Sequence, residues 1–209
     1  MQRFKFSAWA VGSLLLVSVG TQAWASLPPR QVLAAGSHCV AWRTQKTMAM
    51  LSKQEAIGTS CQVSVSASKT ADGKYQATVT VPISSFDSKE KDRDKEVLKI
   101  LNAAQQPKLE FTTLPLTLAQ WQTMLKNGQG AVRGKLKVAG KSYPISSTAK
   151  IRQNGTQIEV YGFVQTKFTA LGMQPPVVGP GGSIAKVDDY LELHYQFSSS
   201  KVQNFALVK

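Results

Sequence analysis

Apolar and polar residues alternate with a period of two along most of the chain beyond residue 37. This is the pattern of strands with one face on a core and the other on solvent. SHCVAWRTQ sets Val40 and Trp42 on one face, and CQVSVSAS follows. In GKYQATVTVPI, Tyr75, Ala77, Val79 and Val81 oppose Gln76, Thr78 and Thr80, and KLEFTTL sets Leu109 and Phe111 together. GAVRGKLKVAG places Val132, Gly134, Leu136 and Val138 opposite Arg133, Lys135 and Lys137. KSYPISSTAKI, joined to it by a tight Gly-Lys-Ser turn, aligns Tyr143, Ile145, Ala149 and Ile151. QIEVYGFVQTKF and DYLELHYQFSSS complete the series, the last with Leu191, Leu193, Tyr195 and Phe197 inward. About eight one-sided strands predict an all-β fold, a closed or nearly closed antiparallel barrel.

Two segments break the rhythm and predict short helices. DSKEKDRDKEVLKILN has a cap at Asp87 or Ser88 and apolar Val97, Leu98, Ile100 and Leu101 near its end, so its last turns cover the sheet. TLAQWQTMLKNGQG opens with a Thr117/Gln120 capping box, carries Leu118, Trp121 and Leu125 at helical spacing, and stops at Asn127-Gly128. GMQPPVVGPGGS is loop by composition, serving either as the rim of a pocket or as an ordinary crossover. The stretch GKLKVAGKS, residues 134–142, mimics a phosphate-binding loop but is not one. Five residues separate its glycines, they alternate as a strand does, and Tyr143-Pro144-Ile145 follows in place of a helix.

The two ends of the chain change the picture. Arg3 and Lys5, an uncharged apolar run from Ala8 to Val19, and small residues at Ala23 and Ala25 predict a signal peptide over residues 1–25, cleaved after Ala25. The run is short and glycine-diluted for a membrane span. The expected mature chain, residues 26–209, is a single exported domain in the periplasm. The formal net charge is +13, of which the leader carries only two. Such a balance favours anionic partners, an anionic membrane surface among them, although the bases are scattered and also fit a solvated exterior. Export sets nucleic acid aside.

Cys39 and Cys61 are the only cysteines. An even count in an exported chain reads as a disulfide, with free thiols or a metal site as the alternatives. His38 next to Cys39 points to the opposite strand face, and no further cysteine completes a metal set. No metal or cofactor is expected, and no C-x-x-C-H haem motif is present. Catalysis is not expected either. His38 and His194 are the only histidines, G-x-S-x-G and H-E-x-x-H are absent, and His194 shares a face with Glu192 and Gln196 that the alternation turns to solvent.

Several motifs now fall in one order. Pro107-x-Leu109-x-Phe111 precedes Gly134-x-Leu136-x-Val138-x-Gly140-x-x-Tyr143-Pro144-Ile145. VPISSFDS leads into Arg93-Asp94, and Leu171-Gly172-Met173 stands near the end. This order resembles the YceI-like family of periplasmic lipid-binding proteins. The resemblance implies a lipocalin-like barrel around a tunnel for a polyisoprenoid, quinone or fatty acyl chain. The chain departs from the family at Glu96-Val97, at Ile100-Leu101-Asn102, and at Phe168 and Ala170, which bears on the ligand more than on the fold.

The candidate ligand-binding residues are Val40, Trp42, Val79, Val81, Phe111, Leu136, Val138, Ile145, Met173, Leu193, Tyr195 and Phe197. A bound chain would enter near the Met173–Ile184 loop. Alternation by itself fits a hollow barrel and a filled one equally. The second possibility is a basic envelope protein that docks on anionic surfaces around a solid, purely structural barrel.

Overall fold

The computed structural model describes residues 32–48 and 52–205. The signal peptide over 1–25 and its cleavage site therefore lie outside the described residues. The strands are β1 (Cys39–Met48), β2 (Lys53–Ser60), β3 (Ser64–Lys69), β4 (Tyr75–Pro82), β5 (Lys108–Thr113), β6 (Gln129–Val138) and β7 (Lys141–Asn154). They continue with β8 (Gln157–Thr166), β9 (Val177–Val178), β10 (Ala185–Val187), β11 (Leu191–Ser198) and β12 (Val202–Gln203). Helix α1 spans Lys91–Ile100 and α2 Leu118–Asn127.

All eight strands expected from alternation are present, but the closed eight-strand barrel is not. Twelve strands form one open sheet in the order β12-β3-β4-β5-β6-β7-β8-β11-β1-β10-β9, with β2 also paired to β1. Every pair is antiparallel except β12 with β3. β1 is long enough to pair with β11 through Cys39–Arg43 and with β10 through Lys46–Met48. Its other edge takes β2. At the far end β3 is flanked by the short β12 and never meets β2 in a ladder.

The sheet still curls upon itself, because Val40 and Trp42 of β1 pack against the cluster of Val65, Val79, Val81 and Phe86. Part of the gap is stitched by the segment after β4. Thr59 and Asp87 exchange backbone hydrogen bonds at 3.0 Å, and the Ser60 and Ser85 hydroxyls meet at 2.6 Å.

β2 escapes sequence reading for a packing reason. Its inward residues are Ala56, Gly58 and Ser60, opposite Thr44, Trp42 and Val40. They are small, Gly58 because the Trp42 ring lies across it, so no large apolar side chain marks the alternation. β9 corrects the assignment of residues 172–183 as loop alone: even two residues pair when a neighbouring edge, here β10 on β1, supplies the hydrogen bonds. The β6–β7 turn consists of Ala139 and Gly140, both at positive φ (48° and 77°), with Val138 opposite Lys141. Lys141 and Ser142 are already strand, which shifts the turn one residue from the Gly-Lys-Ser expected.

α2 forms as its sequence dictates. Thr117 accepts from the Gln120 amide at 3.2 Å, the Gln120 side chain accepts from the Thr117 amide at 2.8 Å, and Gly128 ends the helix at φ 65°. α1 starts later than its cap candidates suggest, with Glu90 as N-cap. The Ser88 hydroxyl and carbonyl are occupied by Arg93 and its amide by Asp94, while Lys89 sits at φ 66°. Ile100 and Leu101 at the end of α1 pack on the cluster of Val138, Phe168, Leu171, Met173 and Leu191.

Candidate functional site

The strand alternation gathers eleven of the twelve predicted residues on the inner face of the curl, and Met173 joins them from the turn that follows Leu171. Val40, Trp42, Val79, Val81, Phe111 and Phe197 share one cluster. Trp42 also joins the neighbouring one, with Leu136, Val138, Ile145, Met173 and Leu193. Tyr195 stacks on Phe197 at 5.8 Å between ring centroids and shares a hydrogen bond with Ser147 at 2.9 Å. Burial raises the Tyr195 hydroxyl pKa, and Ser147 offsets it only in part.

The twelve differ in how far they are buried. Val79, Val81, Val138 and Met173 are buried. Val40, Trp42, Phe111, Leu136, Ile145, Leu193, Tyr195 and Phe197 are only half-buried, although they face one another. Residues at the centre of a filled core are close-packed and lose nearly all contact with solvent. The inner face is therefore an apolar surface that keeps partial contact with solvent.

Three glycines explain how bulky rings lie close against the sheet wall. A Cβ on Gly58 would lie 2.4 Å from Trp42, one on Gly134 2.6 Å from the Phe111 ring, and one on Gly162 2.6 Å from the Tyr195 hydroxyl. Each aromatic thus lies flat across a glycine of the adjacent strand, where any side chain would push it off the wall. The sequence shows the glycines, but their pairing with rings exists only in the cross-strand register.

The opposite face of β1 and β11 contradicts the expectation for His194, which is buried rather than turned to solvent. Leu33 packs on Cys39 and Ala41, with Val32 and Ile57 against them, so residues 32–33 cover part of this outer face. Beside them Arg43 is 1% exposed and Glu192 0%. Arg43 donates to Glu192 at 2.7 Å and to Glu55 at 2.6 Å. His194 Nε2 contacts the same Glu192 carboxylate at 2.8 Å, and the Tyr190 hydroxyl donates to it as well.

Burial pushes the Glu192 pKa up. Hydrogen bonds from Tyr190, His194 and Arg43 outweigh that push and hold it below its ordinary value. Burial lowers the His194 pKa against the pull of Glu192, so the imidazole is biased toward neutral. Burial and the adjacent Glu192 raise Tyr190 to about 12. This is a satisfied ion network at the back of the lining, and its side chains project away from the inner face.

Cys39 and Cys61 form a disulfide, on the same outer side as Leu33 and Ala41. Among the described residues no group of three His, Cys, Asp or Glu is placed to hold a metal ion. A separate shallow hollow of about 360 Å³ under α2 is lined by Leu116, Ala119, Gln120, Thr123, Met124 and Ala131 and lies away from the twelve residues.

A family model described as the YceI-like domain matches residues 33–198. Among solved structures, Burkholderia cenocepacia BcnA is similar at 19% identity with a TM-score of 0.56, over 77% of this chain and 95% of that one. A polyisoprenoid binding domain from Saccharophagus degradans, implicated in plant cell wall breakdown, is similar at 12% identity with a TM-score of 0.51. That match covers 76% of this chain and 92% of that domain. At these identities the likeness is one of fold. No curated protein sequence matches the chain.

Proposed function

The chain belongs to the YceI-like family, and from that premise we propose that its curled sheet binds one long apolar chain, a polyisoprenoid, quinone or fatty acyl lipid, along the inner face. The observation that carries this is the half-burial of eight large apolar residues that face one another. An apolar wall left partly wet gains by covering itself: each methylene taken from water contributes about 0.8 kcal/mol. A ligand of ten or more carbons thus recovers several kcal/mol after ordering costs of similar scale. The fold it shares with the polyisoprenoid binding domain of Saccharophagus degradans supports the same ligand class.

The protein acts by binding rather than by catalysis. Among the described residues, the cluster of His194 with carboxylates faces away from the inner face, and His194 is spent on Glu192. We further propose that the leader expected over residues 1–25 directs export, so that the protein works in the periplasm. Purification without detergent from the native envelope, then native mass spectrometry and organic extraction, tests the proposal. One apolar chain per protein is expected, and a lipid-free protein that also takes up no quinone, polyprenol or acyl probe overturns it.

A further inference from the structure

Where β8 gives way to the 168–173 turn, one end of the sheet exposes apolar and cationic side chains together. Val177 and Val178 of β9 are 60% and 47% exposed, and Ile184 is 52% exposed. The Ile184 amide donates to the Val178 carbonyl at 3.1 Å, and the Ile184 side chain lies against Gly179, so Val178 and Ile184 sit together at the last strand of the sheet, with Val177 exposed on the other face of that edge. Lysines lie at the same end of the sheet. Lys186 is the register partner of Val177, and its stem lies over Gly182. Lys137 and Lys141 flank the β6–β7 turn, which the strand registers bring to the same end of the sheet as β10, where Ala139 and Val187 pack on the cluster of Phe168, Leu171 and Met173.

Every charged residue between Glu110 and Glu159 is Lys or Arg, and Lys137, Lys141 and Lys186 form no ion pair among the described residues. Of the acids near these lysines, Glu110 is the register partner of Lys137, Asp188 accepts from Thr47 and lies 4.0 Å from Lys53, and Asp189 accepts from Thr169.

We propose that this end docks on a bilayer surface containing anionic lipid, with Val177, Val178 and Ile184 in the boundary between headgroups and acyl chains and Lys137, Lys141 and Lys186 on the phosphates. Three aliphatic side chains without an aromatic or arginine anchor do not make the centre of a protein interface, where lysine is also depleted. Aliphatics rimmed by lysine suit an interfacial site, because lysine stems lie along apolar surface while their ammonium groups reach the phosphates. The proposal rests on the inner face as a chain-binding site in one respect. Met173, just before the patch, packs on the inner cluster, so a lipid would pass from bilayer to lining without crossing water.

The test is co-sedimentation of the native protein with vesicles of phosphatidylcholine alone and with added phosphatidylglycerol, at low and high salt. Binding to the anionic vesicles alone, weakening with salt, is expected. Lys137→Gln with Lys141→Gln should weaken it roughly 25-fold, about fivefold per lysine. Val177→Ser with Val178→Ser should weaken it by about tenfold at either salt concentration. All four changes are at exposed positions, and unchanged thermal midpoints would show that the fold is intact.

Absence of binding to anionic vesicles overturns the proposal. So does binding that responds to the lysines but not to the valines, or a protein partner retained through Val178 without vesicles. A protein that carries an extractable chain yet ignores vesicles removes the docking face and leaves the lining. One that binds vesicles through both pairs but carries and accepts no chain does the reverse.

Discussion

Gly58→Ala tests the lining where its geometry is tightest. The added methyl would sit 2.4 Å from Trp42 Cε2 and 2.5 Å from Cζ2 and Nε1. These are atoms of a rigid ring, so the ring must retreat by about 1 Å to reach ordinary contact. The β2 backbone is behind it, which sends the indole toward the interior. Trp42 Nε1 is buried without a hydrogen-bond partner, so no hydrogen bond resists the shift.

If the interior is open, the ring moves at the low end of the usual overpacking cost of about 1–3 kcal/mol. The bound chain then loses the contacts of one or two methylenes at about 0.8 kcal/mol each, or roughly four- to fifteenfold in affinity. If the interior is filled, the ring has nowhere to go, stability falls by the upper figure, and ligand uptake was never present to change. Urea denaturation reads the first quantity, and competitive loading with acyl chains of graded length, followed by native mass spectrometry, reads the second. A variant with unchanged stability and an unchanged set of retained chains would falsify the flattened-ring account.

Leu136→Asp should abolish lipid retention, because an unpaired carboxylate against hydrocarbon costs several kcal/mol. Native mass spectrometry reads the loss, and circular dichroism confirms that the variant folds. Trp42→Ala should shift the retained species toward bulkier chains, and its stability loss should fall short of the 3–5 kcal/mol or so expected in a filled core. Replacing Cys39 and Cys61 with Ser opens a cross-link between positions 22 apart and should lower stability by about 2–4 kcal/mol in urea while the lipid is retained.

The depressed pKa values of His194 and Glu192 act in one direction. Unfolded, each binds its proton more readily than when folded, so stability should fall as pH drops below about 6.5 and further below about 4.5. His194→Gln should flatten the first part of that profile, and urea midpoints between pH 7.5 and 4 would reveal whether it does. N-terminal sequencing of the protein from a periplasmic fraction should start at Ser26, and a chain that keeps Met1 in the membrane refutes export.

The sequence alone determined the features that depend on neighbours along the chain. Backbone geometry imposes a period of two on any half-buried strand, so Val79/Val81, Leu136/Val138 and Leu193/Tyr195/Phe197 were assigned to one face before any partner was known. The Thr117–Gln120 capping box and Gly128 bounded α2 for the same reason, since a helix end is satisfied within one turn. That eleven of the twelve candidate residues share one face was legible because strand alternation puts them there, while Met173 came from the apolar loop it opens.

Tertiary structure decided what depends on residues distant in sequence. Whether the sheet closes turns on which edge β1 gives to β2, a strand hidden by the small residues that accommodate Trp42. Whether Glu192 and His194 face water turns on Arg43, 149 positions away from Glu192, and on the Leu33 cover. A polar strand face is buried only when such a partner supplies the counter-charge, and alternation cannot register that. Only the register across strands shows that Gly58, Gly134 and Gly162 leave room for the Trp42, Phe111 and Tyr195 rings.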